Sequence, residues 1–302
     1  MGERQSVKGL PFSHSTRTTV GMSDLITGPA ILFAPANRRE IIPKAAARAD
    51  MVILDLEDGC RPENRAEARR AIIESEKAGD LDPERVIVRI NPVDSPEHPA
   101  DLEMLADLRY DLVMLPKAES AASVESLAGH RVIALIETPL GVLRADDVAS
   151  ADNVVAMFWG AEDLTAGLGG TASRFGDGEK NPGTYRDVAR HARARTQLAA
   201  AAFGRAALDS VHVDISDVEG LRDEAIDAAA LGYAATVCIH PSQVAVIRDA
   251  YRPTDEEADW ARRLLAAADD DGGAFSFEGR MVDAPLFRQA EAIARRAEAA
   301  AT

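Results

Sequence analysis

Eight short runs of almost uninterrupted apolar, β-favouring residues recur along this chain, and their recurrence constrains the fold more than any other feature. They are AILFAP (30–35), MVILDL (51–56), VIVRI (86–90), DLVML (111–115), RVIALIE (131–137), NVVAMFW (153–159), AALDSVH (206–212) and AATVCIH (234–240). Continuous apolar runs of this length fit strands buried on both faces of a parallel sheet. Helical segments lie between them, such as RPENRAEARRAIIESEKAG (61–79), whose apolar positions recur at three and four. Most runs follow one another at roughly 20 to 30 residues, one strand–helix unit per step. The interval between the sixth and seventh is longer. It holds a glycine-rich stretch, GLGGTASRFGDGEKNPG, and then a long helical segment, TYRDVARHARARTQLAAAAFG. Eight alternating units favour a closed (β/α)8 TIM barrel over an open doubly wound sheet, with the barrel spanning 29–253. What remains, 254–302, comprises a helix over about 254–270, a turn DDDGGAF and the segment SFEGRMVDAPLFRQAEAIARRAEAA. With the barrel already complete, this piece is expected to pack outside it or on a neighbouring subunit.

Composition narrows the function. Acidic residues outnumber basic ones 50 to 34, leaving a net charge of −16. A field of that sign repels phosphate backbones and argues against nucleic-acid binding; an anionic substrate needs a local cation to dock. The two cysteines, Cys60 and Cys238, stand far apart in no metal-binding spacing, which fits a reducing, cytoplasmic setting without disulfides. No apolar run reaches the ~18 residues of a membrane span. Residues 1–28 are rich in Ser, Thr, Gly and basic residues, without the apolar stretch of a secretory signal, and read as a disordered leader, or as a start codon assigned ahead of Met22. The opening MGERQS also fits the short, common myristoylation pattern.

Barrel enzymes carry their chemistry at the C-terminal ends of the strands. Those ends are polar here at nearly every unit: Asp55, Glu57 and Asp58, Arg89 and Asn91, Lys117, Glu137, Glu162 and Asp163, Asp209, His212 and Asp214, and His240. Glu137 and Asp163 lie one barrel unit apart, which puts two carboxylates on adjacent strand ends. Without His or Cys beside them they suit a hard cation such as Mg2+, which takes oxygen ligands and keeps positions for water and substrate; the competing reading is a pair of solvated loop carboxylates. Arg89 can grip a carboxylate or polarise a thioester carbonyl, or it can be a structural ion pair with the strand-2 acids. Lys117 reads first as a strut to Asp55 or Glu57, and second as a substrate contact. His212 and His240 read as hydrogen-bonded structural residues before they read as ligands or bases. The nucleophile elbow, the HExxH zinc motif, the dinucleotide fingerprint and the Walker A loop are all absent.

At these residues the sequence resembles the citrate lyase beta-subunit family, within the HpcH/HpaI-type aldolases and malyl-CoA-type lyases, and most of all its stand-alone actinobacterial members. The matching strings are LFAPANR, VILDLEDG, VRINP, VMLPKAES, ALIETPLGV, MFWGAEDL, DSVHVDISDVEGL, CIHPSQV and FEGRMVDAP, in order from about residue 30 to 298. The resemblance implies a (β/α)8 barrel, Mg2+ as cofactor, a CoA-thioester substrate with an oxo-acid product, and a homotrimer or a dimer of trimers. It places the metal on Glu137 and Asp163 and the substrate arginine at Arg89. It also matches Asp283 to the catalytic Asp of a lid that closes over a neighbouring subunit's site. Without the resemblance, Asp283 reads as a helix N-cap.

The implied reaction is a reversible retro-Claisen cleavage of a malyl-, citramalyl- or hydroxymethylglutaryl-CoA-type ester to an acyl-CoA and an oxo acid. In it Mg2+ serves as Lewis acid and template, Arg89 stabilises the enolate, and Asp283 exchanges a proton at the acyl α-carbon. Arg38 and Arg39, after strand 1, are candidates to meet the anionic CoA, or are surface residues. The alternatives are a malyl-CoA thioesterase or malate-synthase-like activity at the same site, and a citrate lyase complex subunit acting on a carrier-bound citryl thioester. A CoA-independent pyruvate aldolase fits less well, since such relatives rely on a His early in the barrel where this chain has Asn37 and Arg38. A non-catalytic subunit predicts loss of the metal acids, and both are present.

Overall fold

Each apolar run forms a strand, and the eight strands close on themselves. The computed structural model describes residues 25–79, 81–267 and 275–301. Its strands are β1 (Ala30–Pro35), β2 (Met51–Asp55), β3 (Val86–Arg89), β4 (Leu112–Leu115), β5 (Arg131–Ile136), β6 (Val154–Trp159), β7 (Ala206–Asp209) and β8 (Ala235–Cys238). Each pairs in parallel with the next, and β8 returns to β1 through Ile31 against Val237, so the sheet has no free edge. Helices return the chain between strands: α1 (Ile42–Ala46), α2 (Arg65–Ala78), α3 (His98–Ala106), α4 (Ala121–Glu125), α5 (Pro139–Leu143), α6 (Ala145–Ser150), α7 (Ala161–Gly167), α8 (Asp187–Ala202), α9 (Val218–Leu231) and α10 (Pro241–Tyr251).

The seventh and eighth strands are shorter than their apolar runs, for local reasons. After Asp209 the chain turns so that the carboxylate of Asp209 can accept from the Ser210 backbone N–H. After Cys238 the backbone N–H groups of Ile239 and His240 donate to the side chain of Gln243, so the end of the run has become the cap of α10. The expected helix over 61–79 begins at Arg65, because Pro62–Asn64 forms a 3-10 turn, and Gly79 closes it in the left-handed region at φ 70°.

Strand alternation sorts the side chains into two cores. One set fills the barrel interior: Ile31, Ile53, Ile87, Leu112, Met114, Ile133, Leu135, Ala156, Phe158, Leu208 and Val237. The other, including Leu32, Leu54, Val88, Val113, Ile136 and Trp159, packs between sheet and helices. Ile26 joins the interior set and is buried, whereas residues 1–24 of the expected leader lie outside the described residues.

The C-terminal segment makes a third, smaller core. Helix α11 (Asp255–Ala267), the antiparallel hairpin β9 (Phe275–Phe277) and β10 (Arg280–Val282), and α12 (Ala284–Ala299) bury Ala261, Leu264, Val282 and Ala290 against one another. Of the expected turn DDDGGAF, residues 269–274 lie outside the described residues. Arg296, near the end of α12, donates to the backbone carbonyl of Ala229 in α9 and ties the segment to the barrel's outer layer.

Candidate active site

The alternation that fills the barrel decides which polar strand ends enter its mouth. Counting on by two from the interior residues Ile53, Ile87 and Leu135 gives Asp55 and Glu57, Arg89, and Glu137. All four are buried. Arg89 is the best-held of them. Its Nε and Nη2 donate to Asp55 Oδ1 at 2.7 Å and Oδ2 at 2.6 Å, a bidentate pair, and its Nη1 lies 2.9 Å from Glu57 Oε2. The guanidinium also sits 4.7 Å over the ring of Phe33. Its partners hold its proton above the ordinary arginine range despite burial. Asp55 is fixed in turn by the backbone N–H groups of Glu57 (3.0 Å) and Gly59 (2.8 Å). A Cβ at position 59 would lie 2.3 Å from Asp55 Oδ2, so this close approach needs glycine.

Lys117 breaks the alternation. Met114 on β4 faces inward, so strand parity would send Lys117 outward. Its backbone instead adopts a left-handed φ of 52°, uncommon for a residue with a side chain. Its own N–H donates to Glu137 Oε1 at 3.1 Å. Its Nζ lies 2.5 Å from Glu57 Oε1, 3.2 Å from Asp163 Oδ1 and 3.8 Å from Glu137 Oε1. The strut to Glu57 is therefore present, and the same ammonium also faces both candidate metal acids.

Glu137 and Asp163 meet from adjacent units. Glu137 follows β5; Asp163 lies in the first turn of α7, after β6. Between them Gly160 leaves room: a Cβ there would lie 3.0 Å from both Cβ and Oε2 of Glu137. Burial and the neighbouring Asp163 and Glu57 push the Glu137 carboxyl up to about 8, with Lys117 and Arg89 only partly offsetting them. Burial also raises Glu57 above the ordinary carboxyl range, and Glu57 Oε2, though close to Arg89, has no hydrogen-bond partner among the described residues.

This cluster has four carboxyls, Asp55, Glu57, Glu137 and Asp163, against two cations, Arg89 and Lys117. It is two positive charges short when all are ionised. A divalent cation supplies that difference, and Glu137 with Asp163 offers the hard oxygen donors that magnesium prefers. Among the described residues no three His, Cys, Asp or Glu side chains form a ready-made metal cage, so such an ion would complete its shell with water or substrate oxygens. The residues fit magnesium on these terms.

The other polar strand ends have different places. Asp209 continues the outward-facing parity and meets Arg193 of α8 in a bidentate pair at 3.0 and 2.8 Å, with the Trp159 indole donating at 2.7 Å. His212 is buried between Glu224 (2.9 Å) and Asp217 (3.2 Å), and Arg174 of the β6–α8 connection joins the same Glu224. His240 is the N-cap of α10, accepting from the Ser242 backbone. Asn91 holds the Leu56 carbonyl and Asp101, pinning the end of β3 behind Arg89. Arg38 and Arg39 are exposed, on Glu40 and Glu74. Asp283 is exposed at the N-terminus of α12, where it accepts from the Leu286 N–H at 3.4 Å; within this chain it is the helix cap that D-A-P-L suggests. The cysteines are buried and unbridged. Among the described residues no helix is long and apolar enough to cross a membrane.

Comparison with known proteins adds to this geometry. The family model described as HpcH/HpaI aldolase/citrate lyase matches residues 30–241, and a second, described as a C–C bond lyase of the TIM-barrel fold, matches 184–301. A citrate lyase subunit beta-like protein of Mycobacterium tuberculosis is 56% identical over 270 residues, covering 89% of this chain and 96% of that one. The L-malyl-CoA/beta-methylmalyl-CoA lyase of Rhodobacter capsulatus is 33% identical over 299 residues, covering 89% and 94%. The crystal structure of M. tuberculosis CitE in complex with magnesium, acetoacetate and coenzyme A superposes with a TM-score of 0.82 at 56% identity, covering 90% of this chain and 98% of that one.

Proposed function

The chain belongs to the HpcH/HpaI aldolase/citrate lyase family, and on that premise we propose that it is a magnesium-dependent lyase that cleaves a 3-hydroxyacyl-CoA ester to an acyl-CoA and an oxo acid. One observation carries this reading: a buried carboxyl, Glu137, raised to about 8, faces Asp163 in a cluster that is two positive charges short when all its carboxyls are ionised, at the C-terminal mouth of the barrel. Magnesium and coenzyme A occur together in the M. tuberculosis structure, which supports the same pairing here.

Glu137 and Asp163 would hold the ion, which when bound supplies Lewis-acid polarisation to the oxygens of the oxo-acid portion of the substrate. Arg89 needs no reorganisation to act. Asp55, Glu57 and Phe33 fix its plane, so the N–H groups they leave over present positive charge where the departing acyl-CoA becomes an enolate. Lys117 orients Glu137 through its backbone N–H. Asp283 is the residue proposed to return the proton to the acyl α-carbon. Its cap bond uses Oδ1 and leaves the carboxylate exposed, so the α11–α12 segment of a neighbouring copy in a trimer or hexamer could present it to this mouth. Arg38, beyond β1, is the proposed contact for the anionic CoA.

The test is a product assay. Pure protein with Mg2+ is given malyl-, citramalyl- and hydroxymethylglutaryl-CoA, and products are identified by mass. Free oxo acid with a shortened acyl-CoA, abolished by EDTA, is the expected result. Intact hydroxy acid with free CoA would move the assignment to a thioesterase, and no turnover of any ester would defeat the CoA reading.

A further inference from the structure

The residue that the barrel's alternation does not place, Lys117, sits where a second cation has to go. Its ammonium has three N–H donors and faces three carboxylates: Glu57 at 2.5 Å, Asp163 at 3.2 Å and Glu137 at 3.8 Å. Two of these are the proposed metal acids. The third, Glu57, is as buried as Glu137, holds the shortest of the three contacts, and also touches Arg89. A left-handed φ at a non-glycine position is kept only where the surroundings enforce it. Here the backbone N–H bonded to Glu137 and the side chain anchored on Glu57 are what enforce it.

We propose that Lys117 is a placeholder cation for the metal site and that Glu57 is the seat to which it withdraws. Without a divalent ion, the ammonium spans Asp163 and Glu57 and supplies part of the missing positive charge. When the ion enters between Glu137 and Asp163, two like charges cannot share those carboxylates, and Lys117 keeps only its contact with Glu57. Glu57 is thus a positioning residue. It acts on the metal site through Lys117, by giving the displaced ammonium a buried anionic partner. This inference rests on the metal assignment of Glu137 and Asp163 and deepens it.

The two residues should therefore change metal affinity in opposite directions, and their effects should be coupled. Mg2+ binding is measured by calorimetry, and Mn2+ binding by electron paramagnetic resonance, on the intact protein. Lys117→Met should bind the ion about tenfold more tightly than wild type. Glu57→Gln, nearly the same shape, should bind it about tenfold more weakly, because Lys117 then stays on Asp163. In the double variant the Glu57→Gln effect should fall to less than about threefold, since the residue it acts through is gone. If the two effects simply add, Glu57 acts by through-space charge alone and the placeholder account is overturned; it is overturned equally if Lys117→Met weakens binding. Lys117→Gln provides the same cycle should Lys117→Met fail to fold. A wild-type protein that binds neither ion defeats the metal assignment as well, which separates that failure from a failure of the placeholder alone.

Discussion

Two clusters of buried charge lie at strand ends of this barrel, and they differ in what they leave unfinished. At the end of β7, Asp209 accepts two bonds from Arg193, one from the Trp159 indole and one from the Ser210 backbone, and Arg193 also reaches Asp227. That cluster is closed. At the ends of β2, β3 and β5, with Lys117 and Asp163 beside them, the carboxyls outnumber the cations. Glu57 Oε2 has no hydrogen-bond partner among the described residues, and Glu137 takes one backbone bond and a distant ammonium. Burial raises both Asp209 and Glu137 above the ordinary carboxyl range. The difference lies in compensation. A satisfied buried network holds structure together, and an unsatisfied one is poised to take up charge.

The comparison can be broken most severely at the two carboxyls proposed to hold the metal. Glu137→Gln and Asp163→Asn should each lower kcat/KM by about a thousandfold or more while leaving the thermal midpoint of the metal-free protein unchanged or raised, because each takes a carboxyl out of a cluster that already holds more carboxyls than cations. Asp209→Ala should do the reverse: about 3 kcal/mol of stability lost, because half-buried Arg193 keeps only Asp227 and the buried Trp159 indole loses its acceptor, with activity per folded molecule retained. Stability is read by denaturant unfolding, activity by the product assay. An Asp209→Ala protein that folds well and lacks activity would erase the distinction between the two clusters.

Arg89→Lys tests a smaller effect within the mouth. Lysine keeps the charge but loses the bidentate fork on Asp55, and kcat should fall about a hundredfold with KM little changed. Trp159→Phe removes only the indole donor to Asp209 and should cost about 1–3 kcal/mol of stability without touching kcat. Arg38→Ala, on an exposed side chain, should raise KM for the CoA ester severalfold at most.

The pH dependence tests the cluster at the mouth through Glu137. The folded Glu137 carboxyl, raised to about 8, holds its proton where the unfolded carboxyl near 4.5 has lost it. The native state thus binds more protons across that window, so this residue's contribution to metal-free stability declines from pH 4.5 to about 8 and is level above it. Metal binding displaces the same proton, so Mg2+ affinity should rise with pH up to about 8 and then flatten. In Glu137→Gln both slopes should shrink, which thermal unfolding and calorimetry across pH 5–9 will show.

How much of this was legible in the sequence follows from the alternation. The eight strands were, because uninterrupted apolar runs have few other uses in a chain of this length. Asp55, Glu57, Arg89 and Glu137 were legible as a site because each keeps the inward parity of its strand. The same strand-end argument put Asp209 among them, and parity shows why it differs: Leu208 faces in, so Asp209 faces the helices. Lys117 was legible as a strut but not as a partner of Asp163, since a single left-handed φ turns it into the mouth. The pairing of Glu224 with Arg174 joins residues 50 apart, on α9 and the β6–α8 connection, and no local pattern announces it. Asp283 reads as a helix cap from its own residues and as a lid acid only through resemblance; the cap is what the structure shows within one chain.

The most direct measurement is calorimetric titration of Mg2+ into the wild type, Asp163→Asn and Asp209→Asn. One site per chain in the wild type and in Asp209→Asn, with none in Asp163→Asn, is the result this account predicts. Equal binding in all three, or binding lost only in Asp209→Asn, would contradict it.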